Sequence, residues 1–269
     1  MRRRSFLALS GACLVCGCSG AVHQLPQVSE MGLAMAKSEV QMAGLPQRRL
    51  VSDDEVVETL RSAVGRIEAP AMQLCHEVDV GVCDWKFHAA RDRTVNAGAL
   101  PSGHIVVNRG IVEYAANEEE VCMVIAHEMG HHVANHVQAG LRNQVVGAMI
   151  GAVLLGVVGA LASQGSYNSA QVTRAAVETG SNLGATIGRI SYSKEQEREA
   201  DYFAALILYR AGVDLDKARG FLVTMARASR QRDTGLLDTH PAGPERLAAW
   251  DRAVQEIRAA DGRLPPRKP

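Results

Sequence analysis

Two histidines and a glutamate carry the clearest chemistry in this sequence. They lie in the stretch His127-Glu128-Met129-Gly130-His131. Residues four apart share one face of a helix, so the imidazoles of His127 and His131 can bind one metal ion. Zinc suits such a pair, and Glu128 can take a proton from a water molecule on the metal. The motif therefore predicts a zinc site with hydrolytic chemistry.

A catalytic zinc site needs a third protein ligand and one open position. The candidates lie in a second acidic stretch, where Glu197 and Asp201 are four apart and share a helix face. One carboxylate could bind zinc while the other hydrogen-bonds a zinc histidine. A solvated, charged helix start explains the same residues equally well. Spacing alone therefore leaves Glu197 undecided.

Local signals predict a helix around each motif. Asn117 can cap the first helix, and the three glutamates after it suit the positive end of the helix dipole. Ser193 with Gln196 forms a capping-box pattern for the second helix, and Gly212 is a natural stop. Two such helices, packed together, would bring the histidines and the carboxylates into one site.

These residues also resemble a known family. The motif HEMGH, followed by a distant Glu-Arg-Glu-Ala-Asp at 197–201, is similar to the HtpX and CAAX prenyl-protease type of gluzincin zinc metalloendopeptidases, in its branch of periplasmic lipoproteins. The resemblance covers about residues 50–255, and no tetratricopeptide-like repeat is evident. Three further segments match in the family's order: residues 96–103, the strand at 105–107, and Thr239-His240-Pro241 with Arg246.

The resemblance implies roles for these residues. Glu197 is expected to be the third zinc ligand, and Asp201 to hydrogen-bond a zinc histidine. Gly98 stands where the family usually has an aromatic residue and Ser102 where it has glycine, so the substrate-facing strand can differ in shape. The implied fold is α+β and mainly helical, a zincin-type metalloprotease domain with a small β-sheet and an HExxH helix. The substrate strand is expected at Asn96, Ala97, Gly98, Ala99 and Leu100.

The remaining histidines near the motifs are judged by helix geometry. His132 and His136 fall off the zinc face, so both are expected to be polar or core-facing residues rather than ligands. His240 precedes a proline, and the resemblance places it near the cleft, where it could gate the zinc or approach an oxyanion. Arg246 could bind substrate or brace that loop. Both roles stay open at this point.

The start of the chain indicates export and lipidation. Arg2-Arg3-Arg4 and the apolar run from Phe6 to Val15 form a signal peptide (1–17) that is too short to span a bilayer permanently. The stretch from Val15 to Ser19 resembles a bacterial lipobox, which makes Cys18 the expected lipidated residue. Serine after that cysteine implies the periplasmic side of the outer membrane. A twin-arginine signal is the alternative to ordinary export.

Three cysteines lie beyond the lipobox: Cys75, Cys83 and Cys122. In an oxidising periplasm Cys75 and Cys83 could close a short loop as a disulfide, with two free buried thiols as the alternative. Cys122 lies on an apolar stretch of the predicted zinc helix. It is expected to be a small core residue.

Charge and composition limit the classes of function. Lys plus Arg equal Asp plus Glu at 29 each, so a formal net charge of zero gives no broad basic surface for nucleic acid.

We expect one zinc metalloendopeptidase domain over 50–258, preceded by a lipidated tether with a helix (18–49) and followed by a loose tail (259–269). Helices are expected at 29–44 and 53–68, and a few strands within 78–108.

An uncharged segment from Val145 to Ala162 separates the two motif helices. As one helix it would measure about 27 Å, marginally enough to cross a membrane. Integral proteins of the outer membrane are barrels, which argues against a helical span. We therefore expect a helix or hairpin that covers the cleft or touches lipid, with a transmembrane helix as the alternative.

The sequence thus predicts a zinc-dependent endopeptidase of the bacterial envelope with one zinc ion per chain. By resemblance, its substrates are unfolded or misassembled envelope proteins, which residues 96–100 could bind by strand addition. The alternative is a non-proteolytic chaperone or assembly factor for outer-membrane proteins with a structural zinc. Glu128 argues against it, because a structural site has no use for a base. A lipid hydrolase lacks support, since no Gly-x-Ser-x-Gly elbow occurs.

Overall fold

Helices make up most of the chain that the computed structural model describes, which is residues 21–142, 192–228, 240 and 243–268. A three-stranded sheet packs against the helix that carries HEMGH. The expected mainly helical α+β architecture is confirmed. The elements are α1 (Glu30–Met42), α2 (Asp53–Val78), β1 (Lys86–Ala90), β2 (Ala97–Leu100), β3 (His104–Asn108), α3 (Arg109–Tyr114), α4 (Glu118–Val133), α5 (Lys194–Arg210), α6 (Leu215–Ala218), α7 (Gly220–Ala228) and α8 (Pro244–Ala259).

Helix α2 supplies a long apolar side to the core. It was expected to end at residue 68, but it passes through Pro70 and ends at Val78. A proline inside a helix removes one backbone hydrogen bond and costs about 3 kcal/mol or more. The turns after Pro70 bury Ala71 and Leu74 completely. This burial of apolar side chains offsets the cost, and the expected end at 68 is wrong.

The sheet has the strand order β1–β3–β2, with β3 parallel to β1 and antiparallel to β2. All four residues of β2 are buried. A short 3₁₀ turn, Pro101–Gly103, reverses the chain between β2 and β3. Ser102 has a φ of 62° in this turn, the left-handed conformation that favours glycine. Serine is therefore strained at the position where the family that the sequence resembles usually has glycine.

Helices α4 and α5 begin where their sequences predict. The Asn117 side chain caps α4, and Ser193 with Gln196 forms the reciprocal capping box of α5. The two helices pack against each other. A Cβ atom on Gly130 would lie only 2.8 Å from the carbonyl oxygen of Ala200 on α5. The glycine of HEMGH therefore lets the two motif helices approach closely enough to share one site.

The N-terminal and C-terminal segments of the described chain pair with each other. The Gln24 N–H donates to the carbonyl of Pro266, and the Lys268 N–H donates to the carbonyl of Val22. His23 and Arg267 form an isolated antiparallel bridge between them. The expected loose tail from 259 is wrong for residues 266–268, since they pair with residues 22–24. The sequence could not predict this pairing, because a proline-rich basic segment gives no local signal of a distant partner.

A disulfide joins Cys75, near the end of α2, to Cys83 in the connection to β1. It ties the last turn of α2 to the segment that leads into the sheet. Cys122 is a free, buried thiol on α4. Burial raises the pKa of Cys122 to about 12, so it is an unreactive core residue.

Some expectations concern residues outside the described ranges. These are the signal peptide with Cys18, the uncharged segment from Val145 to Ala162, and the two neighbours of His240. The domain boundaries also stay predictions. Across the part of the chain that the structure describes, no helix combines the length and the hydropathy needed to cross a membrane.

Candidate active site

The candidate metal ligands come from two helices and one connection. Helix α4 contributes His127 and His131, α5 contributes Glu197, and His240 lies shortly before α8. One ligand atom from each of these four side chains lies within 4.8 Å of the others, and all four residues are buried. The structure therefore brings the predicted ligands together and adds His240 to them.

The separations between these ligand atoms are close to those of a tetrahedral zinc site. His127 Nε2 lies 3.1 Å from His131 Nε2. The two carboxylate oxygens of Glu197 lie 3.4 Å from His131 Nε2 and 3.5 Å from His127 Nε2. Ligands about 2.0–2.2 Å from one tetrahedral ion are about 3.3–3.6 Å apart. The two Glu197 separations lie in this range, and the His127–His131 separation falls just below it. Glu197 Oε2 accepts no hydrogen bond from the described residues, and the cation that it faces among them is the guanidinium of Arg246.

Asp201 contacts His127, and Arg246 contacts Asp201. Asp201 Oδ1 lies 2.9 Å from His127 Nδ1, which leaves His127 Nε2 free to face the metal position. Arg246 donates to both oxygens of Asp201, at 2.7 and 2.8 Å. Its Nη1 atom also lies 2.9 Å from Glu197 Oε2, at an angle that makes an ion pair rather than a hydrogen bond. Arg246 thus contacts both carboxylates of the site.

Burial and neighbouring charges set the protonation of the site. Burial opposes the charge of His127, but Asp201 and Glu197 outweigh it and raise the pKa of His127 to about 9. Burial lowers the pKa of His131 well below its usual value. Burial also opposes the charge of Glu197, yet His240 and Arg246 hold its pKa well below the usual range. Zinc binding would therefore need one proton to leave His127.

Glu128 is buried next to His127 on α4. Its Oε2 atom has no hydrogen-bond partner among the described residues, and its Oε1 atom lies 3.6 Å from His240 Nε2. A cavity of about 20 Å³ borders Glu128 and Arg246. The histidines that line it are His127 and His240, and Phe221 lies on its apolar wall. One water molecule needs roughly 10–15 Å³. The predicted base therefore has room for one water-sized group beside it.

The sequence analysis missed a set of contacts that lead from His131 to Tyr192 and, through His136, to Glu199. The ring of Tyr192, just before α5, stacks on His131 with centroids 3.7 Å apart. His136 is no part of the ligand group, but its Nδ1 atom lies 3.0 Å from His131 Nδ1. Glu199 meets His136 Nε2 at 3.0 Å. Helical spacing gives no signal for these contacts, because they depend on how α4 and α5 pack.

His132 contacts the sheet, and strand β2 packs near the ring of Tyr192. His132 is buried and its Nε2 atom lies 3.3 Å from the carbonyl oxygen of His104. Burial lowers the pKa of His132 to about 4, so it is a neutral packing residue.

Ala99 of β2 packs in one cluster with Tyr192. One aromatic ring therefore separates the predicted substrate strand from His131.

A comparison with models of protein families shows to which family the chain belongs. A model described as peptidase family M48 matches residues 63–254, more than half of the sequence. The chain belongs to peptidase family M48. This M48 match includes every residue of the site described above. The zinc metalloendopeptidase family expected from the sequence is confirmed.

Curated relatives match this chain over different shares of their own length. Metalloprotease LoiP of Escherichia coli (strain K12) is 26% identical over 265 residues, which cover 97% of this chain and 98% of LoiP. The beta-barrel assembly-enhancing protease of the same strain is 29% identical over 192 residues, 70% of this chain and 38% of the relative. Mitochondrial metalloendopeptidase OMA1 of Arabidopsis thaliana is 28% identical over 221 residues, 81% of this chain and 41% of OMA1. The chain thus spans about two fifths of the length of the last two relatives.

Proposed function

We propose that the protein is a zinc-dependent metalloendopeptidase, held at the bacterial envelope by lipid on Cys18. The observation that carries this proposal is the convergence of His127, His131 and Glu197 at nearly tetrahedral separations, with Glu128 beside them. Membership of family M48, and relatives named metalloprotease and metalloendopeptidase, support the activity.

His127, His131 and Glu197 would hold the zinc ion. Bound there, zinc supplies the Lewis acidity that polarises a peptide carbonyl and lowers the pKa of water. Asp201 keeps the proton of His127 on Nδ1, so that the lone pair stays on Nε2. Arg246 balances the charge of two buried carboxylates, which would otherwise be costly to ionise.

Glu128 holds and moves the proton in this proposal. Its Oε2 atom, which has no hydrogen-bond partner within the described part of the chain, accepts a proton from the attacking water and later delivers it to the leaving nitrogen of the peptide. Phe221 and Met225 form an apolar wall of the adjoining cavity. Excluding bulk water lowers the local dielectric constant, so the charge on Glu128 acts more strongly on the reacting groups.

Strand β2, with Asn96 before it, is the proposed substrate-binding strand. Within the described ranges it pairs only with β3, so an extended peptide can add to its other edge. Such binding recognises the peptide backbone, which suits unfolded or misassembled proteins. The export signal, the lipobox and a relative named beta-barrel assembly-enhancing protease support an envelope location. We therefore propose protein quality control on the periplasmic side of the outer membrane.

The substitution Glu128→Gln tests the proposed activity. Removing a general base should slow casein cleavage by about 100-fold or more, while zinc content stays at the wild-type level. Glu119→Gln, in the first turn of the same helix, is the control and should cleave at the wild-type rate. Cleavage at the normal rate by Glu128→Gln would show that the base is wrongly assigned.

A chaperone or assembly factor with a structural zinc is the second candidate. His240 Nδ1 lies 3.2 Å from His127 Nε2 and 2.8 Å from Glu197 Oε1, so it could act as a fourth ligand and close the site. Glu128 argues against this role, because one of its carboxylate oxygens has no hydrogen-bond partner in the ranges that the structure describes and a structural site has no use for a base. Casein cleavage with and without a chelator, measured beside light-scattering protection of an unfolded client, separates the two. Protection without any cleavage would favour the chaperone.

A further inference from the structure

Glu199 is a buried carboxylate that the proposed mechanism does not use. It lies two positions after Glu197, about 200° round helix α5 from it. Its side chain is 0% exposed. Its oxygens accept from the backbone N–H groups of Val22 (3.0 Å) and His23 (2.8 Å), from His23 Nδ1 (2.7 Å) and from His136 Nε2 (3.0 Å). Donors from two distant parts of the chain therefore satisfy this charge.

The partners of Glu199 fix the proton positions on two histidines. An ionised carboxylate only accepts, so His136 carries a proton on Nε2 and donates it to Glu199. His136 Nδ1 is then the acceptor for His131 Nδ1, 3.0 Å away. This leaves the lone pair of His131 on Nε2, the atom that faces His127 Nε2 at 3.1 Å. A metal ligand needs this tautomer.

The segment Val22–His23 is held at the same carboxylate. The His23 ring is buried and packs edge-on against Phe203 of α5, with ring centroids 5.1 Å apart. Backbone pairing with residues 266–268 holds the segment from its other side. In sequence it follows shortly after the expected lipidation residue, Cys18. The segment that follows the expected lipidation residue therefore contacts the domain at Glu199, which hydrogen bonds connect through His136 to the candidate ligand His131.

We propose that Glu199 and His136 are positioning residues that connect the docked segment Val22–His23 to the zinc ligand His131. Docking shields the Glu199 carboxylate from water, and the hydrogen bonds from Glu199 through His136 then hold His131 Nε2 ready for the ion. The inference rests on the proposed zinc site. Linkage makes the effect reciprocal: docking strengthens zinc binding, and zinc strengthens docking by the same factor.

Zinc affinity of the full chain, measured by competition with a chromogenic chelator, tests this connection. His136→Ala and Glu199→Gln should each weaken zinc binding by about 10–100-fold. The glutamine amide can donate to His136 and reverse the proton positions. His136→Gln offers one acceptor and one donor in the same side chain, and it should recover part of the affinity. Glu195→Gln, exposed on the same helix, is the matched control and should bind zinc normally.

Amide hydrogen exchange gives a second measurement that does not depend on activity. Adding zinc to the wild-type protein should slow exchange at the backbone amides of Val22 and His23. In Glu199→Gln these two amides should exchange fast with or without zinc. Thermal melts of the metal-free variants, followed by circular dichroism, establish that each variant is folded.

The results that overturn the inference differ from those that overturn the proposed function. Wild-type protein that binds zinc and cleaves casein, together with His136→Ala and Glu199→Gln within about twofold of its zinc affinity, would refute only the positioning role. His136→Gln as weak as His136→Ala would refute the hydrogen-bond relay. Wild-type protein that retains no zinc would refute the proposed function, and the inference would fail with it.

Discussion

Replacing Asp201 with asparagine should damage the metal site far more than its nearly unchanged size suggests. Three donors face the carboxylate: His127 Nδ1 at 2.9 Å, Arg246 Nη2 at 2.7 Å and Arg246 Nε at 2.8 Å. Asparagine has one accepting oxygen, and its NH₂ group must face one of these donors. Whichever way the amide turns, two N–H groups oppose each other in a buried place.

The substitution should lower two quantities, the free energy of unfolding of the metal-free protein and the affinity for zinc. Breaking a buried ion pair by removing one partner costs about 3–5 kcal/mol. Arg246 keeps a second carboxylate, Glu197, at 2.9 Å, so the lower end is expected in the metal-free protein. Loss of the carboxylate that orients His127 should weaken zinc binding by about 10–100-fold, or about 1.4–2.8 kcal/mol.

Asp251→Asn is the matched control. Arg219 donates to both oxygens of Asp251, at 2.6 and 3.0 Å, with the same two nitrogens that Arg246 uses. That pair is partly exposed, and Arg219 has a second partner in Glu39. The control should therefore lose only about 0.2–1 kcal/mol. Urea unfolding with and without zinc, and chelator competition, measure both quantities.

Two results would refute this reasoning. Equal destabilisation by Asp201→Asn and Asp251→Asn would show that burial does not set the strength of the Arg246 pair. Wild-type zinc affinity in Asp201→Asn would show that His127 needs no carboxylate to orient it.

Two further substitutions test other features. Replacing both Cys75 and Cys83 with serine should lower the free energy of unfolding by about 2–3 kcal/mol, as expected for a short closed loop. An unchanged melting temperature under oxidising conditions would contradict this. His240→Ala removes the candidate fourth ligand, so zinc should bind more weakly while casein cleavage per bound zinc rises. Full zinc occupancy without cleavage would instead show that His240 takes part in the reaction.

Signals within single helical turns were enough to predict the helices that carry the site. Asn117 and Ser193 cap α4 and α5 as expected. The four-residue spacing of His127 and His131 places their ring nitrogens together. Glu197 needed the family resemblance as well, because its spacing also fits a solvated helix start.

Contacts across long separations could not be predicted in this way. Glu199 meets His23 from 176 positions away, and His127 meets His240 from 113 positions away. Such pairs depend on how α4 and α5 pack and on where the two terminal segments run. The passage of α2 through Pro70 is a similar case, since burial further along the helix outweighs a local rule.

Every residue of α4 from Glu120 to Val133 is buried. The element that supplies two of the candidate metal ligands is therefore also part of the hydrophobic core. A loss of activity caused by a bulky or truncating change in this helix would not separate chemistry from folding. Isosteric exchanges such as Glu128→Gln are the informative ones there. Altered specificity would have to be engineered outside this helix, for example on the proposed substrate strand β2.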